Sequence, residues 1–136
     1  MKKLDNFSNC LTILANADFK MAETNDIYRT GVIGQFNLTF ELAWKALQEI
    51  MRKHGVEDSS TGSPREILQL GYKFGFINDS ETWLLMLKKR NTSDHIYNEE
   101  EVDELILLIR DSFIPAFTAL KDTLARKLDE AESNWG

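Results

Sequence analysis

Residues 32–51, VIGQFNLTFELAWKALQEIM, contain the pattern that decides the fold. Apolar side chains recur there at steps of three and four residues, which is the period of one face of an α-helix. Thr24-Asn25-Asp26 can cap the start of a helix, and Gly55 suits a left-handed helix end. We therefore predict a helix of about 28 residues, or roughly 40 Å, that ends near His54 and buries one stripe: Val32, Ile33, Phe36, Phe40, Ala43, Trp44, Leu47, Ile50 and Met51.

The sequence on either side of this helix has the same helical period. Before it, apolar residues predict a helix from about residue 4 to residue 22, with Met21 on its buried stripe. After it, residues 56–62 are polar and predict a loop. Ser63-Pro64-Arg65-Glu66 matches a capping box with proline at the first helical position. We expect this third helix to be short and to end between residues 71 and 75.

Two further helices follow. Asp79 or Ser80 caps a fourth helix that runs to about Arg90, and residues 91–97 show no periodicity. Asn98 then begins a long last helix. Pro115 lies inside it and is expected to kink it, because its ring meets a preceding carbonyl and it donates no hydrogen bond.

These elements predict an all-α fold of the antiparallel four-helix-bundle type, with three long helices and one or two short ones. No segment alternates with the period of a strand. One core suffices for 136 residues, so residues 1–128 are expected to form a single domain. The polar residues 129–136 are expected to be a frayed tail.

Composition limits the possible partners and compartments. The net charge is −6 and the isoelectric point is near 4.9, which argues against a protein that binds nucleic acid through bulk electrostatics. Cys10 is the one cysteine, so an intramolecular disulfide is excluded, and one Cys with two His cannot form a structural zinc site. No apolar run approaches a membrane span, and no signal-peptide core follows Met1. We expect a cytoplasmic protein without a membrane partner.

Several chemistries lack their motifs in this sequence. There is no phosphate-binding loop ending in Lys-Ser/Thr, no Gly-x-Ser-x-Gly and no His-Glu-x-x-His. Gly62-Ser63 is not followed by Asp-x-Asp, so no nucleotidyltransferase centre is encoded here. Neither histidine has the Glu-x-x-His spacing of a di-iron bundle. We expect no metal and no cofactor.

Residues 90–97, RNTSDHIY, combine a guanidinium, an imidazole and a phenol. Arg90 follows Leu87 by three residues, which places it on the inward face of the fourth helix. His95 could deprotonate a ribose 2′-hydroxyl while Arg90 stabilises charge developing on phosphorus, and no metal is needed for that. The alternative is structural: Arg90 pairs with a carboxylate among residues 99–101, and His95 only caps the last helix.

Other polar residues near this segment are candidates for a supporting role. Asn91 and Asp94 belong to the segment itself. Glu41 and Lys45 form an i, i+4 pair that is either an exposed helix pair or part of a pocket near the motif. The aromatic residues of the second helix, Phe36, Phe40 and Trp44, are interpreted as core, with a base-stacking platform as the alternative.

Arg-x4-His-x-Tyr resembles the signature of the HEPN superfamily, in particular the HepT-like subunits paired with minimal nucleotidyltransferases. The resemblance to the branch called nucleotidyltransferase substrate-binding proteins spans roughly residues 5 to 125. It rests on FELAWK (40–45), SPRE (63–66), WLLML (83–87) and RNTSDHIYNEE (90–100). It implies RNase roles for Arg90 and His95, and it implies that Tyr97 receives AMP from the cognate transferase.

Two functions follow from this resemblance. The first is a helical subunit that binds substrate for, or docks, a small nucleotidyltransferase encoded nearby. The second is a metal-independent endoribonuclease toxin, acting on RNA and neutralised by adenylylation of Tyr97. Apolar Leu107, Leu108 and Ile114 lie outside the core stripe of the last helix, so we also expect a homodimer that buries this flank.

Overall fold

The computed structural model describes residues 1–57, 59–95 and 98–135. It is an all-α bundle. Its elements are α1 (Lys2–Ala15), α2 (Phe19–Thr24), α3 (Asp26–Lys53), α4 (Pro64–Lys73), α5 (Ser80–Thr92), a 3₁₀ turn (Ser93–His95), α6 (Glu99–Leu108), a π-helical segment (Ile109–Phe113) and α7 (Ile114–Trp135).

Cross-helix contacts give the helix directions. Lys3 pairs with Glu49, whereas Gln35 donates to the Cys10 carbonyl, so α1 and α3 are antiparallel. Phe36 stacks on Phe113, and His54 contacts the Lys127 carbonyl at 2.6 Å. Helix α3 is therefore parallel to the continuous helix that α6, the π segment and α7 form together. Helix α5 is antiparallel to α3, because Arg90 contacts Glu41 whereas the later Ser93 contacts the earlier Asn37. The predicted four-helix bundle is confirmed, with α4 packed on α3 and α5.

Aromatic side chains join the bundle at its centre. Phe36 stacks on Phe113 at 5.2 Å, and Phe7 meets Phe117 edge-on at 6.1 Å. Trp83 meets Phe117 edge-on at 5.5 Å and lies 6.2 Å from Phe40. All these rings are buried, so the interpretation of Phe36 and Phe40 as core residues is confirmed.

Side chains predicted to cap helices do so. Asn25 accepts from the Tyr28 amide, and Ser63 and Glu66 form the complete capping box of α4. Asp79, rather than Ser80, caps α5. Asn98 accepts from the Glu101 amide at the start of α6. The predicted starts of these four helices are therefore confirmed.

The prediction of one helix over residues 4–22 is wrong. Helix α1 ends at Ala15, and α2 begins at Phe19 with Asp18 accepting from the Met21 amide. Asn16 donates to the Thr12 carbonyl, and short polar side chains of this kind compete with helix hydrogen bonds. The chain turns at this point, so Met21 is exposed rather than buried.

The last helix contains a π-helical segment directly before Pro115. The Ile114 amide donates to the Ile109 carbonyl, five residues earlier. An uninterrupted α-helix would press the proline ring against the Asp111 carbonyl, and a wider turn accommodates this clash. The structure also differs from the frayed tail predicted after residue 128, since α7 continues to Trp135 and Ala131 is buried.

The apolar flank predicted for a homodimer is narrower than expected. Leu107 is 48% exposed, but Leu108 and Ile114 pack against the core. One exposed leucine is ordinary for a protein surface.

We predict that Asp79→Ala destabilises the fold by about 1 kcal/mol because α5 loses its N-cap. Hydrogen bonds from the Thr82 hydroxyl and amide hold the pKa of Asp79 below its ordinary value of 3.8. The stabilisation by the N-cap is therefore complete at pH values above 3.8, the ordinary pKa of the carboxyl group. It is lost as the pH falls through the lowered pKa that Asp79 has in the folded protein. Urea unfolding at several pH values measures the difference.

Asp122 is an exposed residue of α7, and Asp122→Ala is the matched control. This substitution should change stability little at any pH. A loss at Asp79 that stays constant into acid would contradict the role of the ionised carboxylate.

Candidate functional site

Arg90 and Glu41 form the centre of the candidate site. Arg90 lies near the end of α5 and Glu41 lies in the middle of α3, where the two helices are antiparallel. Arg90 Nη2 donates to Glu41 Oε2 at 2.8 Å, and both side chains are partly exposed. The structural interpretation of Arg90 predicted an ion pair with a carboxylate among residues 99–101. The structure instead pairs Arg90 with Glu41.

Glu41 has two further partners on its own helix. Lys45 Nζ lies 3.3 Å from Oε1, and the indole Nε1–H of Trp44 donates to Oε2 at 3.2 Å. One carboxylate thus accepts hydrogen bonds from a guanidinium and an indole and also pairs with an ammonium. Glu41 and Lys45 form an i, i+4 ion pair with partly exposed side chains, and Glu41 joins this pair to Arg90.

A second connection fixes the turn that follows Arg90. Asn37 Nδ2 donates to Ser93 Oγ at 3.1 Å, and the Ser93 hydroxyl donates to the Arg90 carbonyl at 3.0 Å. Asn37 Oδ1 is buried and has no hydrogen-bond partner among the described residues. Helix α3 therefore holds both the side chain of Arg90 and the backbone of the 3₁₀ turn.

The remaining predicted residues lie along this turn. Arg90 Nη1 donates to Asn91 Oδ1 at 3.4 Å, a long hydrogen bond. His95 is the last residue of the 3₁₀ turn and is exposed. Within the described ranges, no hydrogen bond or ion pair joins His95 to Arg90. Tyr97 and the side chain of Asp94 lie outside the described residues.

The site is a polar cluster at the surface in which two cations, Arg90 and Lys45, share one carboxylate, Glu41. Lys89 also pairs with Glu104 at 3.6 Å, which ties the same end of α5 to α6. Over the part of the chain that the structure describes, no group of three His, Cys, Asp or Glu side chains is placed to hold a metal ion. None of the described helices is both long and apolar enough to cross a membrane.

Comparison with known proteins gives the family. The model of the family described as "Nucleotidyltransferase substrate binding protein like" matches residues 2–126. The chain belongs to this family. A protein of Haemophilus influenzae named "Probable ribonuclease HepT" is 23% identical over 111 residues, which cover 80% of this chain and 76% of that protein.

The residues predicted for the site of this substrate-binding-like protein do not include Asn37 and Ser93. A signal was present, because Asn37, Glu41 and Lys45 follow each other at four-residue steps and so lie on one face of α3. Trp44 was interpreted as core or as a base-stacking platform; it packs partly buried against the core, and its indole also donates to Glu41.

We predict that Glu41 and Arg90 are energetically coupled. A double-mutant cycle with Glu41→Ala and Arg90→Ala, measured on the free energy of unfolding, should give a coupling free energy of about 1 kcal/mol. We expect this value because the pair joins two helices and is partly screened from water.

Glu49 and Arg52, an i, i+3 ion pair whose two partners belong to the same helix, provide the matched cycle. The coupling free energy of this second pair should be roughly half that of Glu41 and Arg90, or less. A coupling near zero at Glu41 and Arg90 would show that the cluster does not hold α5 on α3.

Proposed function

We propose that this chain is the helical subunit of a two-component nucleotidyltransferase system. The chain either binds the substrate for the transferase or docks the transferase itself. It acts as a homodimer. The family description supports the association with a nucleotidyltransferase. The observation that carries the proposal is the ion pair between Arg90 and Glu41.

Two of the five N–H donors of the guanidinium that phosphodiester cleavage would use are already bonded. Glu41 accepts from Nη2, and Asn91 accepts from Nη1. A phosphate that approaches Nη2 on the side of Glu41 would have to compete with a carboxylate that is itself held by Lys45 and Trp44. A pre-arranged cluster of an arginine, a lysine, a carboxylate and an aromatic ring is typical of a surface that recognises another protein or a polar ligand.

The chemistry of nucleotide transfer must come from the partner. The chain has no phosphate-binding loop, and its Gly62-Ser63 lacks the Asp-x-Asp that a transferase centre needs. We propose that the partner is a small nucleotidyltransferase encoded nearby. The Arg90 cluster then faces either the transferase or the molecule that it modifies.

We predict that the transferase co-purifies with this chain at moderate salt. Arg90→Ala should raise the dissociation constant of the complex, or of the substrate, at least tenfold, because a charge-assisted contact near the centre of an interface is lost. Titration calorimetry measures this change.

Arg52→Ala removes an ion-paired arginine that lies in α3, away from the cluster, and is the matched control, with affinity unchanged. Failure of the transferase to co-purify, or an equal loss in both variants, would remove the support for this proposal.

A second candidate function is a metal-independent endoribonuclease. The relative named as a ribonuclease supports it, as does the spacing of Arg90 and His95 in this chain. In this proposal His95 takes the proton of a ribose 2′-hydroxyl, whose oxygen attacks the adjacent phosphorus. The bond from phosphorus to the 5′-oxygen breaks, and the leaving 5′-oxygen takes a proton from water. Arg90 stabilises the charge that develops on the phosphate oxygens. AMP attached to Tyr97 by the transferase would block the site.

We predict that a ribonuclease would cut RNA in EDTA and leave 2′,3′-cyclic phosphate ends. His95→Ala should lower the rate about 10²–10⁴-fold. Arg90→Lys should also be poorly active because an ammonium lacks the planar fork that binds two oxygens. Tyr97→Phe should keep cleavage and lose AMP attachment.

Glu41→Gln separates the two functions. It removes the counter-charge of Arg90 and weakens the contact, so a ribonuclease should keep or gain activity, whereas a docking subunit should weaken its complex and cut nothing. Absence of cleavage in both wild type and Glu41→Gln would exclude the ribonuclease.

A further inference from the structure

Asn37 connects α3 to the turn that carries His95. Its Nδ2 atom donates to Ser93 Oγ at 3.1 Å, although the two residues lie 56 positions apart in the sequence. Ser93 is the first residue of the 3₁₀ turn, and His95 is the last. Helix α3 thus reaches this turn through one amide and one hydroxyl.

The hydrogen bonds at Ser93 determine which chemical group position 37 must present. The Ser93 hydroxyl has one proton, and it donates that proton to the Arg90 carbonyl at 3.0 Å. The Ser93 backbone N–H donates to the same carbonyl. Ser93 Oγ can therefore only accept from residue 37, so this contact requires a side chain with a donor.

His95 depends on the backbone of the turn for its position. Its side chain is exposed, and in the part of the chain that the structure describes it forms no hydrogen bond or ion pair of its own. Two 3₁₀ steps separate it from Ser93, which is about 4 Å of rise and roughly 240° of rotation. A displacement of Ser93 is therefore passed on to His95.

The same face of α3 also holds the guanidinium of the site. Glu41 follows Asn37 by four residues, so the two side chains lie on one face, about 6 Å apart along the helix axis. Glu41 binds Arg90 Nη2, and Asn37 binds the turn. Helix α3 thus fixes both ends of the segment from Arg90 to His95 relative to each other.

Stability alone does not account for an amide at position 37. Asn37 Oδ1 is buried and lacks a hydrogen-bond partner among the residues described. A neutral hydrogen bond such as that of Nδ2 stabilises a fold by less than an unpaired buried acceptor destabilises it. A residue that breaks a local rule in this way is expected where the geometry of a site, rather than stability, depends on it.

We propose that Asn37 is a positioning residue of the candidate site: its hydrogen bond to Ser93 holds the 3₁₀ turn so that His95 keeps a fixed place relative to Arg90. The inference rests on the proposed function, because the placement matters only if Arg90 and His95 act together on a partner or a substrate. Asn37 acts through Ser93 and not by contact with that partner or substrate.

The first test measures the backbone mobility of Ser93 and His95 in the free chain by ¹⁵N relaxation. In wild type both amides should have order parameters near 0.85, roughly the value of a rigid backbone. Asn37→Asp keeps the shape of the side chain but removes the donor, and Asn37→Leu removes both polar atoms. In either variant the two order parameters should fall to about 0.6 or below, while circular dichroism shows an unchanged helical fold.

Gln35→Leu is the matched control, because Gln35 also donates from α3 to another helix, at 3.1 Å to the Cys10 carbonyl. It should leave Ser93 and His95 rigid. Ser93→Ala should make His95 as mobile as Asn37→Leu does, and the double variant should add nothing, since both changes remove the same connection. A rigid His95 in both Asn37 variants, or equal mobility in Gln35→Leu, would overturn the positioning role.

The second test measures function in the assay in which wild type is active. If the chain docks the transferase, Asn37→Leu should raise the dissociation constant roughly threefold or more. If it cleaves RNA, Asn37→Leu should lower kcat about tenfold or more and change KM little, because Arg90 still binds the phosphate. Gln35→Leu should change none of these values.

The failure of this inference differs from the failure of the proposed function. A mobile His95 in Asn37→Leu with unchanged affinity and unchanged cleavage would overturn the positioning role and leave the proposed function standing. A wild-type chain that binds no transferase and cuts no RNA would overturn the proposed function and this inference with it.

Discussion

The packing of Trp83 between Phe40 and Phe117 is the contact on which the site depends. It places α5 against both α3 and α7. Arg90 follows Trp83 by seven residues, or two helical turns, so the buried indole determines on which side of α5 the guanidinium emerges. Replacing a buried aromatic ring of this kind by alanine typically costs about 3–5 kcal/mol. The geometry of the exposed cluster is thus set by apolar burial two turns away.

Glu41 determines what Arg90 can do. A guanidinium that emerges beside a core needs a counter-charge, and α3 supplies one together with a lysine and an indole. Two of its five N–H donors are therefore bonded before any ligand arrives, to Glu41 and Asn91. A ligand carboxylate or phosphate that approaches from the side of α3 must compete with Glu41, whereas a partner that binds the whole cluster need not. This difference is the basis for proposing that the cluster recognises a partner.

Local chemistry made much of the fold predictable from the sequence. Asn25, Ser63 and Asn98 are capping residues whose effect spans three positions, so reading them requires no tertiary information. The break after Ala15 was missed because the apolar period continues across it while Asn16 and Asp18 compete locally. The pairing of Arg90 with Glu41 spans 49 positions, and helical periodicity alone cannot say which helices become neighbours.

The two glycines of α3 show how the stability of that helix is distributed. Each costs about 1 kcal/mol of helix propensity relative to alanine. A 28-residue helix tolerates this loss because its other face buries Phe36, Phe40 and Leu47, so tertiary packing rather than propensity maintains it. The loss falls on the one face where the chain itself gains nothing from small residues.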